Sequence, residues 1–184
     1  GGTIINGGTV EIHGRSAVNG GFTSLGTGPV TLNNGSTLIS ANDWSTGNEW
    51  NGGNVGLITL NAGSTWTINA AGGTVRNGLV LNGATVNGTG ANADWGGMYL
   101  KSTSITVGGN ATSTISVDTA MDSTITMTVQ AGSQLNYSGT LHNRILVAGG
   151  VHKAGAGTMT ISGSNSYTGP TIVSAGKLVV DGNI

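Results

Sequence analysis

The phrase VTLNNGSTLIS at residues 30–40 returns as ITLNAGSTWTIN at 58–69. Each copy places two short runs of alternating apolar and polar residues around an Asn-x-Gly turn. Alternation with a period of two is the pattern of a strand buried on one face. Glycine at the turn takes a positive φ without steric cost. Related phrases surround Gly7, Gly35, Gly63, Gly83, Gly109, Gly132 and Gly176, at intervals of 28, 28, 20, 26, 23 and 44. The last interval is twice 22, and a degenerate copy, RILVAGGVHKAG at 144–155, fills the gap. The markers therefore span 169 residues in seven steps, a mean of about 24. A period of that size signals a repeat architecture whose units bury their apolar faces by stacking.

The inward set follows from the alternation: Val30 and Leu32, Ile58 and Leu60, Ile105 and Val107, Ile125 and Met127, Met159 and Ile161 before the turns. Leu38, Trp66, Ile68, Val86, Leu135 and Tyr137 follow them. No stretch carries a 3.6-residue period, so helix is nearly absent. An antiparallel sandwich explains the short strands but not a repeat of about 24 residues. A parallel β-helix explains both, with equivalent residues forming ladders from coil to coil. Pro29 and Pro170 each stand six residues before a marker glycine and begin a strand, where a missing N–H is tolerated. Seven or eight coils give a rod of roughly 35 Å, one all-β unit over 1–184.

Composition narrows the function classes. Charged residues are 7% of the chain and 35 of its 184 residues are glycine. Six basic against seven acidic side chains leave no electrostatic footprint for nucleic acid or anionic lipid. The absence of cysteine removes disulfides, thiol catalysis and thiolate metal sites. No apolar run of 18 residues occurs, and GGTIINGG has no charged leader, so any export signal or membrane anchor is expected outside these residues.

Residues 155–184, GAGTMTISGSNSYTGPTIVSAGKLVVDGNI, carry a more specific pattern. Gly155, Gly157, Thr158, the strand MTIS, Gly163, Asn165, the trio Tyr167-Thr168-Gly169, Val173, Gly176 and the strand KLVV stand in the order of a known module. This segment resembles the autotransporter-associated β-strand repeat, also called the passenger-associated transport repeat. Met159 and Pro170 depart from its usual residues. The resemblance implies a right-handed parallel β-helix in a large secreted or surface-displayed bacterial protein, with the repeat tied to passenger folding and transport. It implies no substrate.

Two segments interrupt the rhythm. ANDWSTGNEWNGGN at 41–54 brings Asp43, Trp44, Glu49 and Trp50, and ANADWGGMYL at 91–100 brings Asp94 and Trp95. Both follow the second strand of a coil, two coils apart, which predicts protrusion from one corner roughly 10 Å from each other. Trp beside carboxylate suits a sugar, as a ring face with acceptors for hydroxyls. The competing reading is that these Trp side chains cover an exposed piece of core. Asp118 and Asp122 are weighed as an acid/base or calcium pair against a solvated corner. His13, His142 and His152 lack zinc-ligand spacing. GTGANA at 88–93 opens no helix, AGKL at 175–178 is not a P-loop, and no GxSxG occurs. The Thr-x-Thr runs are too sporadic for a regular ice-binding face.

The expected function is a structural, non-enzymatic segment of an extracellular or outer-surface β-helix without cofactor or metal. Its partner is itself, stacked end to end into a filament, or further coils of the same polypeptide. A carbohydrate- or surface-binding module on the Trp-bearing loops is the second reading. A polysaccharide-acting enzyme with acids among Asp43, Glu49, Asp94, Asp118 and Asp122 is the third.

Overall fold

The computed structural model describes residues 1–13, 24–43, 46, 55–71, 73–101 and 103–184; Trp44, Glu49 and Trp50 lie outside them. Among these residues there is no helix, and twenty strands of three to six residues follow one another in coils. The first coil carries β1 (Thr3–Ile5) and β2 (Thr9–Ile12), the second β3 (Val30–Leu32) and β4 (Thr37–Ser40). The third has β5 (Ile58–Leu60), β6 (Thr65–Ile68) and β7 (Gly73–Val75), the fourth β8 (Leu79–Leu81), β9 (Thr85–Asn87) and β10 (Met98–Leu100). The fifth has β11 (Ser104–Val107), β12 (Thr112–Ile115) and β13 (Thr119–Met121), the sixth β14 (Thr124–Val129), β15 (Gln134–Tyr137) and β16 (Leu141–Asn143). The seventh holds β17 (Gly150–Ala154) and β18 (Thr158–Ile161), and the eighth β19 (Thr171–Val173) and β20 (Lys177–Val180).

Stacking these coils builds a parallel β-solenoid. One eight-stranded sheet runs β1-β3-β5-β8-β11-β14-β17-β19, a second runs β2-β4-β6-β9-β12-β15-β18-β20, and a four-stranded third face runs β7-β10-β13-β16. Every strand pair in these sheets is parallel; among the described residues the one antiparallel contact is an isolated bridge, Gly96 to Thr119. Thr3, Val30, Ile58, Leu79, Ile105, Met127, Lys153 and Val173 share one register position. They cover 170 residues in seven steps, about 24 per coil. At the usual strand spacing the axial length is about 34 Å.

The core is a set of inward ladders. Ile5, Leu32, Leu60, Leu81, Val107 and Val129 stack on the first sheet, and Leu38, Trp66, Val86, Ile115, Tyr137 and Ile161 on the second. All of them are buried, as are all the inward residues named from alternation. Trp66 brings a polar N–H into this interior, and its Nε1 donates to Ser40 Oγ at 2.9 Å, which accounts for a buried serine in an otherwise aliphatic ladder.

Corners between the first and second sheets are set by glycines with φ of 70–78°: Gly8, Gly35, Gly63, Gly83, Gly109, Gly132, Gly155 and Gly176. The first of these is Gly8 and not Gly7, because Asn6 aligns with Asn33 at the end of the strand and the left-handed residue comes two later. In the degenerate copy at 144–155 the strand is Gly150–Ala154 and the corner Gly155, whereas 144–149 form a loop with Leu146 fully exposed. At the same corner Asn33 Nδ2 donates to Asn6 Oδ1 (2.9 Å), Asn61 to Asn33 (2.6 Å) and Asn82 to Asn61 (2.9 Å). The repeated asparagine is thus an axial hydrogen-bond ladder as well as a turn residue. Pro29 and Pro170 immediately precede β3 and β19, and their carbonyls accept from Thr3 and Val151 of the preceding coils.

Lys153 breaks the apolar rule. Its register position faces inward between Met127 and Val173, and the residue is fully buried. The side chain runs along the interior to the corner, where Nζ donates to the carbonyls of Ala154 (2.8 Å), Gly155 (2.7 Å) and Ala175 (3.0 Å), tying the last two coils together. Burial lowers its pKa.

Leu60→Asp places an unpaired carboxylate in the middle of a ladder, at a cost of several kcal/mol. Urea denaturation is expected to show loss of the cooperative transition at 25 °C. A near-wild-type midpoint overturns the inward assignment.

Candidate functional site

Polar side chains concentrate on the third face, where the chain leaves β9 and enters β10. Asn92 Oδ1 accepts from the backbone N–H of Asp94 (2.9 Å) and of Trp95 (3.2 Å), an Asx turn that fixes both residues. Tyr99, Ala120 and His142 then occupy one register position on three successive rungs. Stacking therefore assembles the site from residues 40 and more positions apart.

At one end of these strands Trp95 meets Tyr99 edge to face, with centroids 5.4 Å apart and planes at 79°. The Arg144 guanidinium lies 3.9 Å above the Trp95 ring and 5.6 Å from that of Tyr99, a cation–π arrangement. Tyr99 donates to Asp122 Oδ2 at 3.0 Å and accepts from Arg144 at 3.4 Å. Burial, reinforced by the Asp122 charge, pushes the Tyr99 phenol well above its ordinary range, so it remains a donor. Because Arg144 covers one face of Trp95, that face is not a platform for a sugar ring.

At the other end Asp118 and His142 form a pair, Oδ2 to Nε2 at 3.4 Å, with side chains 24% and 13% exposed. His142 Nδ1 lies 2.9 Å from the carbonyl oxygen of Asn143. Both ring nitrogens therefore face acceptors, a setting that favours the doubly protonated imidazolium. The Asp118 hydrogen bond is the main cause of a raised pKa, opposed by burial and helped by the charges of Asp118 and Asp94. Asn143 pins the next loop, accepting from Gly149 N (2.9 Å) and Thr168 N (3.2 Å) and donating to Thr168 Oγ1 (2.7 Å). Ala91, Asn92, Ala93, Asp118, Thr140, His142, Asn143 and Ser166 border an open groove of about 790 Å³.

The described parts of the two rhythm-breaking segments and their flanks are each tied to the third coil. Asp43 Oδ1 accepts from Ala71 N at 3.0 Å, and Gly90 N donates to Ile68 O at 2.9 Å, so the coil between them is held from both sides. Asp118 and Asp122 do not form a pair. They flank β13 on either side, about 13 Å apart along an extended chain, and engage His142 and Tyr99 respectively. His13 pairs with Glu11 on the first coil, at 3.2 Å, and His152 lies on the first sheet between Thr126 and Ser174. Among the described residues no group of three His, Cys, Asp or Glu side chains is placed to hold a metal ion. Sequence reasoning missed Tyr99, Arg144, Thr140 and Ser166 as members of the site. Tyr99 in the run MYL was the available signal, since it breaks the apolar and polar alternation.

The sign of the His142 effect is fixed by its raised pKa. Its contribution to stability is complete below the ordinary imidazole value of 6.5 and is lost as the pH rises through the higher folded value. Urea midpoints measured from pH 5.5 to 9 are expected to fall with pH, and Asp118→Asn to flatten that decline. A midpoint that rises over this range overturns the pairing.

The C-terminal motif residues serve the stacking. Asn165, 4% exposed, accepts from Leu141 N on the coil before it (2.9 Å) and donates to Gly163 O (2.8 Å) and to Asn183 O on the coil after it (2.6 Å). Tyr167 and Thr171 share a hydrogen bond of 2.7 Å. A Cβ on Gly163 would lie 2.1 Å from the Gly139 carbonyl oxygen, so only glycine permits that approach. No curated protein and no solved structure shows significant similarity to the chain. The passenger-associated-transport-repeat family model matches residues 151–180, from the first strand of the seventh coil to the second strand of the eighth. Over that span the chain matches the passenger-associated transport repeat, here formed by two successive coils of a parallel β-solenoid.

Proposed function

We propose that the chain is a structural and display segment of a secreted or surface-exposed bacterial protein, a rod and not an enzyme. The observation that carries this reading is how the transport-repeat residues are used. Lys153 and Asn165 bond one coil to the next, Gly163 permits the close approach of the coil before it, and Tyr167 fastens the connection to β19 through Thr171. The match to the repeat family supports an extracellular or outer-surface location.

A β-solenoid of this kind grows by adding rungs. On β19, Thr171 and Val173 take the register positions that Val151 and Lys153 bury in the coil before, yet both are exposed, Val173 at 49%. An open parallel edge is a template for another strand. Further coils of the same polypeptide are the occupants this reading assigns. Copies stacked into a filament are the second reading, since a head-to-tail contact that does not close propagates.

Sedimentation velocity and electron microscopy of residues 1–184 separate the two: a monomer at high concentration supports continuation within one chain. Fibres with an axial repeat near 38 Å, eight rungs at the usual spacing, support the filament. The rod reading itself is tested by excising a whole coil. Deleting residues 58–78 joins Leu57 to Leu79, which holds the register position of Ile58. A shorter rod with cooperative unfolding and unchanged surface display in a passenger context is expected. Collapse of the fold on this deletion overturns the modular reading.

A further inference from the structure

The groove on the third face has the chemistry of a site. It is bordered by the turn at 91–93 of the fourth coil, Asp118 of the fifth, Thr140 and His142 of the sixth and Ser166 of the seventh. Four rungs span about 14 Å, the length of two to three sugar residues laid along the axis. The border mixes amide, hydroxyl and carboxylate groups with two alanine methyls, giving donors and acceptors without a deep apolar pocket. Asp118 engages His142 through Oδ2, and among the described residues its other oxygen has no hydrogen bond. Asp94, whose Oδ1 is buried without a hydrogen-bond partner among those residues, adds a second negative charge near His142. With the imidazole protonated the three groups sum to −1, so anionic ligands are disfavoured. A peptide strand has no free edge to join here, because β10 and β13 are paired on both sides and β16, the end strand of this sheet, is covered by the seventh coil through Ser166 N donating to Leu141 O and Leu141 N donating to Asn165 Oδ1.

We infer that this groove binds a neutral or amino-bearing oligosaccharide edge-on. Asp118 accepts from sugar hydroxyls, Thr140 and Ser166 exchange hydrogen bonds with them, and His142 positions the Asp118 carboxylate. The stacking faces of Trp residues are not required, which separates this site from the Trp-loop module considered above. The inference is also independent of the rod reading, since a rod displays a binding face equally well.

The full chain on an array of neutral, amino and acidic oligosaccharides, followed by amide chemical-shift titration with the best-bound neutral or amino glycan, tests it. Saturable shifts at 91–93, 118, 140–143 and 166 are expected. Asp118→Asn is expected to weaken binding about tenfold or more, as loss of a hydrogen bond to a charged group does. Since Asp118→Asn also disturbs His142, Ser166→Ala provides a second variant. Ser166 is exposed and its hydroxyl makes no hydrogen bond among the described residues, so this change leaves the melting temperature unaltered while weakening binding. Absence of saturable binding, shifts confined to other faces, affinity unchanged in both variants, or binding of acidic glycans alone overturns the proposal. So does saturation by spermidine with no response to any glycan, which would make the groove a cation site.

Discussion

In-register parallel hydrogen bonding between successive coils is the constraint on which everything else rests. It holds equivalent residues one strand spacing apart, so a side chain at any inward position meets the same position of the coils on either side. Size and polarity must then be negotiated along the axis and not within one coil. Trp66 sits between Leu38 and Val86 in one ladder, and its indole N–H is satisfied by Ser40 from the adjoining ladder of the coil before. A serine at that position would be unexplained by its own coil alone.

Corners obey the same rule by different chemistry. Glycine supplies the left-handed backbone at each passage from the first to the second sheet. The asparagine that ends the preceding strand extends the axial order into side chains, from Asn82 through Asn61 and Asn33 to Asn6. In the last two coils, Lys153 and Asn165 take over this work, one tying carbonyls at a corner and the other bridging three coils at the edge of the third face. The transport repeat thus differs from the coils before it in how it fastens neighbours, while its inward ladder remains the same in kind.

Against this background the third face stands apart. The two eight-stranded sheets spend their outward positions largely on threonine, while the short third sheet carries Tyr99 and His142 outward with Asp118, Asp122 and Arg144 around them. Its strands are only three residues long, and the turns leading into them vary in length. Insertions there do not disturb the ladders, which is where a solenoid has freedom to carry function.

The sequence by itself determined the class of fold, the period, the inward residues and the corner glycines, because all of these are local and periodic. Alternation is set by the pleat and the corner by the backbone freedom of glycine. One slip shows the limit of that logic: Gly7 and Gly8 are equally free, and only the pairing of β1 with β3 selects Gly8. The copy at 144–155 is similar, since RILV has strand composition but the register of β14 with β17 places the strand at Gly150–Ala154. Asp94 and Trp95 were legible as an interruption, whereas their surroundings were not. Arg144 reaches Trp95 from 49 positions away, and Asp118 finds His142 from 24 away. Those meetings depend on the length of each connecting turn, which sets how the coils stack. No local pattern encodes that length's consequence, so only the tertiary structure decided it.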